Sequence, residues 1–174
     1  MGKLELILYP APILTEKCRP VAAFNEELRS LAREMFNVMY KSKGVGLAAP
    51  QVGKSIRLAV LNVAEEPGKN EVVIVNPELV LSPEKETAEE GCLSFPGLKS
   101  KIPRAARVRV KAFDLHGKPF ELETEGFFAR AVQHECDHLE GITFNKRMST
   151  AGRLLARGKL KEFEKKYKEA NKKK

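Results

Sequence analysis

The sequence predicts an α+β fold, and three observations carry that prediction. Stretches of β type, rich in Val and Ile, gather in the middle of the chain. Patterns of helical period stand before and after them. The two kinds do not alternate regularly, which argues against a doubly wound parallel sheet. With 174 residues, no internal repeat and no recognisable linker, residues 1–174 read as a single domain.

Along the chain, Asn25 can cap a helix that runs to about Ser42. Leu28, Leu31, Ala32, Met35 and Met39 recur at helical spacing, and Gly44 is placed to stop it. "IRLAVLNV" and "EVVIVNPELVL" follow as strands. "ARVRVKAFDLHGKPFELETEG" reads as two strands joined at His116-Gly117, a hairpin. Residues 127–139 form a second helix, with Gly126 before it and Gly141 after. A third starts near Ser149 and sets Leu160, Phe163 and Tyr167 on one face, with lysines around the rest. "AEEPGKN" and "SPEKETAEE" read as surface loops.

Composition narrows the class. Apolar residues at 43% and charged residues at 31% describe a soluble globular protein with enough material for a core. No apolar run approaches a membrane span. The apolar part of "MGKLELILYP" is too short for a secretory signal, and residue six is not the Ser or Thr of a myristoylation signal. Three widely spaced cysteines make no disulfide framework and suit a reducing cytoplasm. The net charge of +8 is unevenly placed: residues 157–174 hold nine Lys/Arg against three Glu, a net +6. Such a basic tail suggests contact with a polyanion such as RNA; the competing reading is a solvated helix face with a frayed end.

The chemistry concentrates in "QHECDHLEG", where His134 and His138 stand four apart around Glu135. This is the spacing of a metal-and-base helix. On a wheel of 100° per residue, Phe127, Ala131, His134 and His138 fall at about 0°, 40°, 340° and 20°, one stripe. Phe128, Val132, Cys136 and Leu139 fall at about 100°, 140°, 180° and 120°, a second stripe. Cys136 therefore points away from the histidines and reads as a small buried residue. Cys92, in "EEGCLSFPG", carries no such constraint and can pass beside the helix. His134, His138 and Cys92 make three ligands and leave a fourth position open for water, as a catalytic site does. Glu135, near 80°, can reach that water without being a ligand. A lone HExxH can also arise in an exposed helix that binds nothing. Here two of only three histidines are spent on it, in line with an apolar stripe. The third, His116, has a structural place in the hairpin turn.

"GVGLAAPQVG", residues 44–53, imitates a dinucleotide fingerprint through Gly44, Gly46 and Ala49. That motif must follow a strand and open a helix, and this one follows a helix, so the nucleotide reading is rejected. Small residues at 44, 46, 48 and 49 would instead let backbone approach a ligand closely. Gln51 offers an amide that could donate to an oxyanion, or else sits exposed in a tight loop.

Together these segments resemble the peptide deformylase family, whose signatures are G-x-G-L-A-A-P-Q, E-G-C-L-S and Q-H-E-x-D-H-L-x-G. Here they stand complete and in order as Gly44 to Gln51, Glu90 to Ser94 and Gln133 to Gly141. The resemblance covers roughly residues 4–147; Thr15 and Lys99 stand where the family commonly has Arg. It implies a compact α+β domain with mixed or antiparallel sheets around a central HExxH helix, plus N-terminal and C-terminal helices. It implies removal of the formyl group from the N-terminal formyl-methionine of nascent peptides in a bacterial cytoplasm. It also implies Fe(II) as the metal, with zinc, nickel or cobalt as substitutes. Glu135 would take a proton from the metal-activated water and pass it to the leaving amine. The Leu93 N–H and the Gln51 side chain would stabilise the developing oxyanion. Val45, Gly46, Gly91, Phe127 and Ala131 would form the methionine pocket.

Two other classes compete. An HExxH zinc peptidase would take its third ligand downstream, from Glu140, Glu162 or Glu164. An RNA- or ribosome-binding protein would use the metal structurally; the tail supports it weakly, and Glu135 beside an open fourth position opposes it.

Overall fold

The computed structural model describes residues 4–64 and 66–172. Residues 1–3 at the chain start, Glu65 in the "AEEPGKN" segment and the last two lysines of the basic tail lie outside the described residues. The architecture is α+β with antiparallel sheets. In chain order it has α1 (Glu26–Lys41), β1 (Gly46–Ala48), β2 (Leu58–Leu61), β3 (Val72–Leu81), β4 (Lys85–Gly91), β5 (Lys99–Ala105), β6 (Arg107–Phe113), β7 (Pro119–Glu125), α2 (Gly126–Leu139), α3 (Phe144–Arg147) and α4 (Thr150–Asn171). Five strands form one sheet in the order β1-β2-β3-β6-β7, and β4 pairs with β5 in a second.

α1 begins as its sequence dictates. The Asn25 side chain accepts from the Leu28 N–H at 3.0 Å, and the five spaced apolar residues are buried. Its stop differs from expectation. Lys43, not Gly44, takes the left-handed backbone at φ 56°. Gly44 instead gives room to Leu93: a Cβ there would lie 2.6 Å from Leu93 Cδ1, so that side chain would have to shift.

Both apolar runs became strands, and β3 breaks register between Val75 and Glu78. Pro77 cannot donate to the ladder there, and Asn76 turns at φ 52°. The Asn76 amide is instead bonded to the Val21 N–H and C=O at 2.8 and 3.0 Å. β6 and β7 form the expected hairpin. Val108, Val110 and Ala112 point inward, while Arg107, Arg109 and Lys111 pair in register with Glu125, Glu123 and Glu121 outside. At its turn Asp114 accepts from the His116 and Lys118 N–H groups, so His116 is placed by its backbone.

One expectation is corrected. "SPEKETAEE" is not simply a loop, since Lys85–Gly91 forms β4, paired residue for residue with β5. Only Glu90 of its seven residues is buried, so β4 has none of the apolar alternation that marks a strand in sequence.

α2 packs on the inner face of the larger sheet. Ala129, Val132, Cys136 and Leu139 join Ala59, Ile74, Val108 and Val110 in one core cluster, so Cys136 is core as the wheel placed it. Gln133 ties the helix to β5, accepting from the Ala105 N–H and donating to its C=O, both at 3.0 Å. α4 starts at Ser149, whose hydroxyl accepts from the Gly152 N–H. It buries Phe163 edge-on against Phe95, ring centres 6.1 Å apart. Leu160 packs beside it and Tyr167 is half-buried.

Candidate active site

Three elements meet at the site: β1 with the turn after it, the segment leaving β4, and α2. The Cys92 Sγ, His134 and His138 donor atoms lie within 4.8 Å of one another. Cys92 Sγ stands 3.3 Å from His138 Nε2. The three downstream glutamates are occupied elsewhere. Glu140 pairs with Lys17 and Arg57, Glu162 with Lys159 and Lys166, and Glu164 accepts from the Tyr9 hydroxyl.

The donor set fits a divalent first-row ion. A thiol and two imidazoles are the ligands such ions prefer, and three protein donors leave room for reactant. Two buried side-chain atoms lack a partner among the described residues, Glu135 Oε2 and His138 Nδ1, and both belong to this cluster. Burial works against charge on His134, yet its bonds to Cys92 and Glu90 more than offset this and carry the ring to about 10. Burial, then repulsion from His134 and Arg104, pushes His138 well down.

His134 is oriented from behind. Its Nδ1 lies 3.1 Å from Glu90 Oε2, so Nε2 is the atom turned to the site. Burial alone would raise the Glu90 carboxyl, but His134 and Arg104 hold it down at about 2. Arg104 grips Glu90 through Nε at 2.9 Å and Nη2 at 3.0 Å. Its Nη1 reaches Asp137 Oδ2 at 2.5 Å. Arg130 adds a bond to Glu90 at 2.7 Å, and Arg147 binds Asp137 from the other side. One buried guanidinium therefore joins β4, β5 and the turns of α2 that carry the two histidines.

Glu135 is 4% exposed, and burial lifts its carboxyl to about 7 against the pull of His134 and Arg104. Its neighbour is Gly46. A Cβ on Gly46 would lie 2.8 Å from the Glu135 carboxyl carbon and 2.9 Å from Cγ. The small residue expected to admit a ligand admits the carboxylate. Gln51 is buried, not exposed: Oε1 accepts from the Ala48 N–H at 2.9 Å, and Nε2 lies 3.1 Å from Ser94 Oγ and 3.7 Å from Cys92 Sγ.

A cavity of about 600 Å³ opens on this cluster. Val45, Gly46, Gly91, Leu93, Phe127 and Ala131 all line it, with Phe127 on the rim at 59% exposure. Lys99 stands at the mouth, paired with Glu89 at 3.0 Å, both exposed. All eleven site residues expected from sequence thus lie at or around one cavity, His138 being set just behind its wall. Arg104 and Arg130 were missed, since neither lies in a recognisable motif. Glu90, Ser94 and Asp137 were visible as motif letters but had no assigned role.

A sequence profile described as polypeptide deformylase matches residues 3–153. The chain belongs to the polypeptide deformylase family. The peptide deformylase of Acidobacterium capsulatum is 42% identical over 160 residues, 91% of this chain and 94% of its own length. That of Desulforudis audaxviator is 46% identical over 151 residues, 86% of this chain and 96% of its own. Among solved structures, a plant peptide deformylase has a TM-score of 0.95 at 42% identity, covering 98% of this chain and 94% of that one. Peptide deformylase from Plasmodium falciparum has a TM-score of 0.92 at 38% identity, covering 94% and 97%. This chain is thus an enzyme, a metal-dependent hydrolase that removes the formyl group from the N-terminal methionine of polypeptides.

Arg104→Met would leave Glu90 and Asp137 short of their shared cation in a buried place. Breaking a buried pair from one side costs about 3–5 kcal/mol. Denaturant unfolding should show a loss of that size, and metal should dissociate faster. Wild-type stability and metal retention would contradict the reading of Arg104 as the shared anchor.

Proposed function

We propose that Cys92, His134 and His138 hold Fe(II), with zinc, nickel or cobalt as substitutes, and that Glu135 moves the protons in deformylation of formyl-methionyl nascent peptides. The observation that carries this is the buried Glu135 carboxyl, lacking a protein partner at Oε2, beside three clustered donors. When bound, the ion supplies Lewis acidity, which makes hydroxide available near neutral pH and draws charge from the formyl oxygen.

The rest falls to the chain. A carboxyl lifted to about 7 by burial is suited to take a proton from the attacking water and give it up again. Water oxygen bonds to the formyl carbon as its proton passes to Glu135 and the C=O electrons move onto the formyl oxygen; when that C=O re-forms, the C–N bond breaks. The amine nitrogen takes the proton from Glu135, and formate leaves. The formyl oxygen carries the charge between these steps, and Gln51 Nε2 and the Leu93 N–H are assigned to it. Val45, Gly46, Gly91, Phe127 and Ala131 are assigned to the methionine side chain. Residues 1–174 would act as one catalytic domain. No helix among the described residues is long and apolar enough to cross a membrane; the cytoplasm is our proposed location.

The basic end of α4 is assigned a separate role, raising the enzyme's concentration near ribosomes by charge. The exposed Lys168 and Lys172, beyond Tyr167, support it.

Three tests follow from these assignments. Glu135→Gln should keep its metal and lose about 10²–10⁴-fold in turnover; metal loss, or near-normal rates, would remove Glu135 from the role of base. Cys92→Ala should lose metal sharply while Cys136→Ala keeps it, as metal analysis after gel filtration would show; the reverse pattern would sink the ligand assignment. Cutting after Tyr167 removes four lysines and Glu169, three net positive charges. Turnover of a free formyl-Met-peptide should stay nearly constant while low-salt ribosome co-sedimentation falls. Equal co-sedimentation would leave the tail a solvated helix end.

A further inference from the structure

We propose that Ser94 is a positioning residue that, together with the Ala48 N–H, fixes which way the Gln51 amide faces, with Ile7 and Tyr9 holding the two in register. The inference rests on the reading of Gln51 as an oxyanion donor and explains how that donor is aimed.

Gln51 and Ser94 are both buried, so every polar atom they carry needs a partner within the protein or the site. The amide could in principle present either its oxygen or its nitrogen to the reaction. Its neighbours decide. Ala48 N–H can only donate, so the atom 2.9 Å from it must be Oε1. Nε2 then faces the other way, 3.1 Å from Ser94 Oγ. Ser94 could have received either end of an amide, because a hydroxyl both donates and accepts. It is not free to choose. Its oxygen lies 2.8 Å from the Ile7 C=O, which can only accept. The hydroxyl proton is committed there, so Ser94 can only accept from Gln51.

Both ends of the amide are thereby locked. One Nε2 hydrogen goes to Ser94. The other, about 120° away in the planar amide, donates to Cys92 Sγ at 3.7 Å, a long bond that points it at the ligand cluster. A flipped amide would set Oε1 against a hydroxyl with no proton to offer and Nε2 against the Ala48 N–H. The oxyanion would then meet a lone pair in place of a donor.

The chain start completes the device. Ile7 N–H donates to the Gln51 C=O at 2.7 Å, and Tyr9 N–H donates to the Ser94 C=O at 3.0 Å. Residues 7–9 therefore fix the main chains of Gln51 and Ser94 relative to each other. Ser94 itself touches no reacting atom in this scheme.

A double-mutant cycle tests it, using the metal-loaded full chain and a formyl-Met-peptide, with metal content and melting temperature followed in parallel. Gln51→Ala should lower kcat by about 10²-fold, as loss of one oxyanion donor does. Ser94→Ala should lower kcat by about tenfold or more, with KM within about twofold and metal content unchanged. In the Gln51→Ala background, Ser94→Ala should cost less than about twofold more, because the group it aims is gone. If Ser94→Ala does not fold, Ser94→Cys keeps the size with a poor acceptor and should show the same kcat loss and the same dependence on Gln51. Additive effects would overturn the inference and make Ser94 a structural staple. So would a normal kcat in the Ser94 variants when Gln51→Ala is impaired. A normal kcat in Gln51→Ala would overturn the oxyanion reading itself, and the inference with it.

Discussion

Burying α2 is the constraint on which the site depends. Every residue from Ala129 to Leu139 is buried, and six of them are polar or charged. Each such group loses water and costs stability unless the protein replaces the bonds. Arg130 finds Glu90 and two backbone carbonyls, Gln133 finds both backbone groups of Ala105, and Asp137 finds Arg104 and Arg147. His134 finds Glu90. What stays unmatched is one atom each on Glu135 and His138. Those are residues to which we assign the chemistry, so polar satisfaction in α2 runs out where reactants and metal are proposed to take over.

The same constraint explains the second sheet. β4 is too exposed to be held by apolar burial, and its one buried side chain is an anion. What fastens it to the body is the Arg104 and Arg130 grip on Glu90, together with its ladder to β5. The strand ends at Gly91, and Cys92 follows directly. A polar bond at Glu90 therefore sets both the rear of His134 and the starting point of the segment that carries Cys92.

This is why the site was read from sequence more fully than the strand that delivers it. The wheel placed His134 and His138 together and Cys136 in the core, because helical period is a strong geometric signal. β4, held by ion pairs, has no periodic signature, and so it read as a loop. Arg104 stands 33 residues from Asp137 and 14 from Glu90, with no spacing rule to join them. Gly46 lines the cavity as its position suggested, and it also makes room for the Glu135 carboxylate, which the sequence did not indicate. A small residue signals that something comes close, but composition does not say whether that is a ligand or the protein's own carboxylate. Lys43 in place of Gly44 shows the same limit at the end of α1.

The two histidines are not equivalent. His134 has a carboxylate behind it, which orients the ring and would strengthen it as the ligand we propose. His138 has no such partner at Nδ1 and is held by its nearly complete burial and by Cys92 in front. Aromatic packing shares the work. Phe144 lies 5.9 Å from both the His134 and Phe95 rings, and Phe163 of α4 closes on Phe95. Donors that are bonded from behind need little reorganisation when charge develops in front of them. His134 and Gln51 are aimed in this way, through Glu90 in one case and Ser94 in the other. Both of those residues come from the one short segment that also carries Cys92, so a shift of that segment would move the proposed cysteine ligand and both aiming groups together.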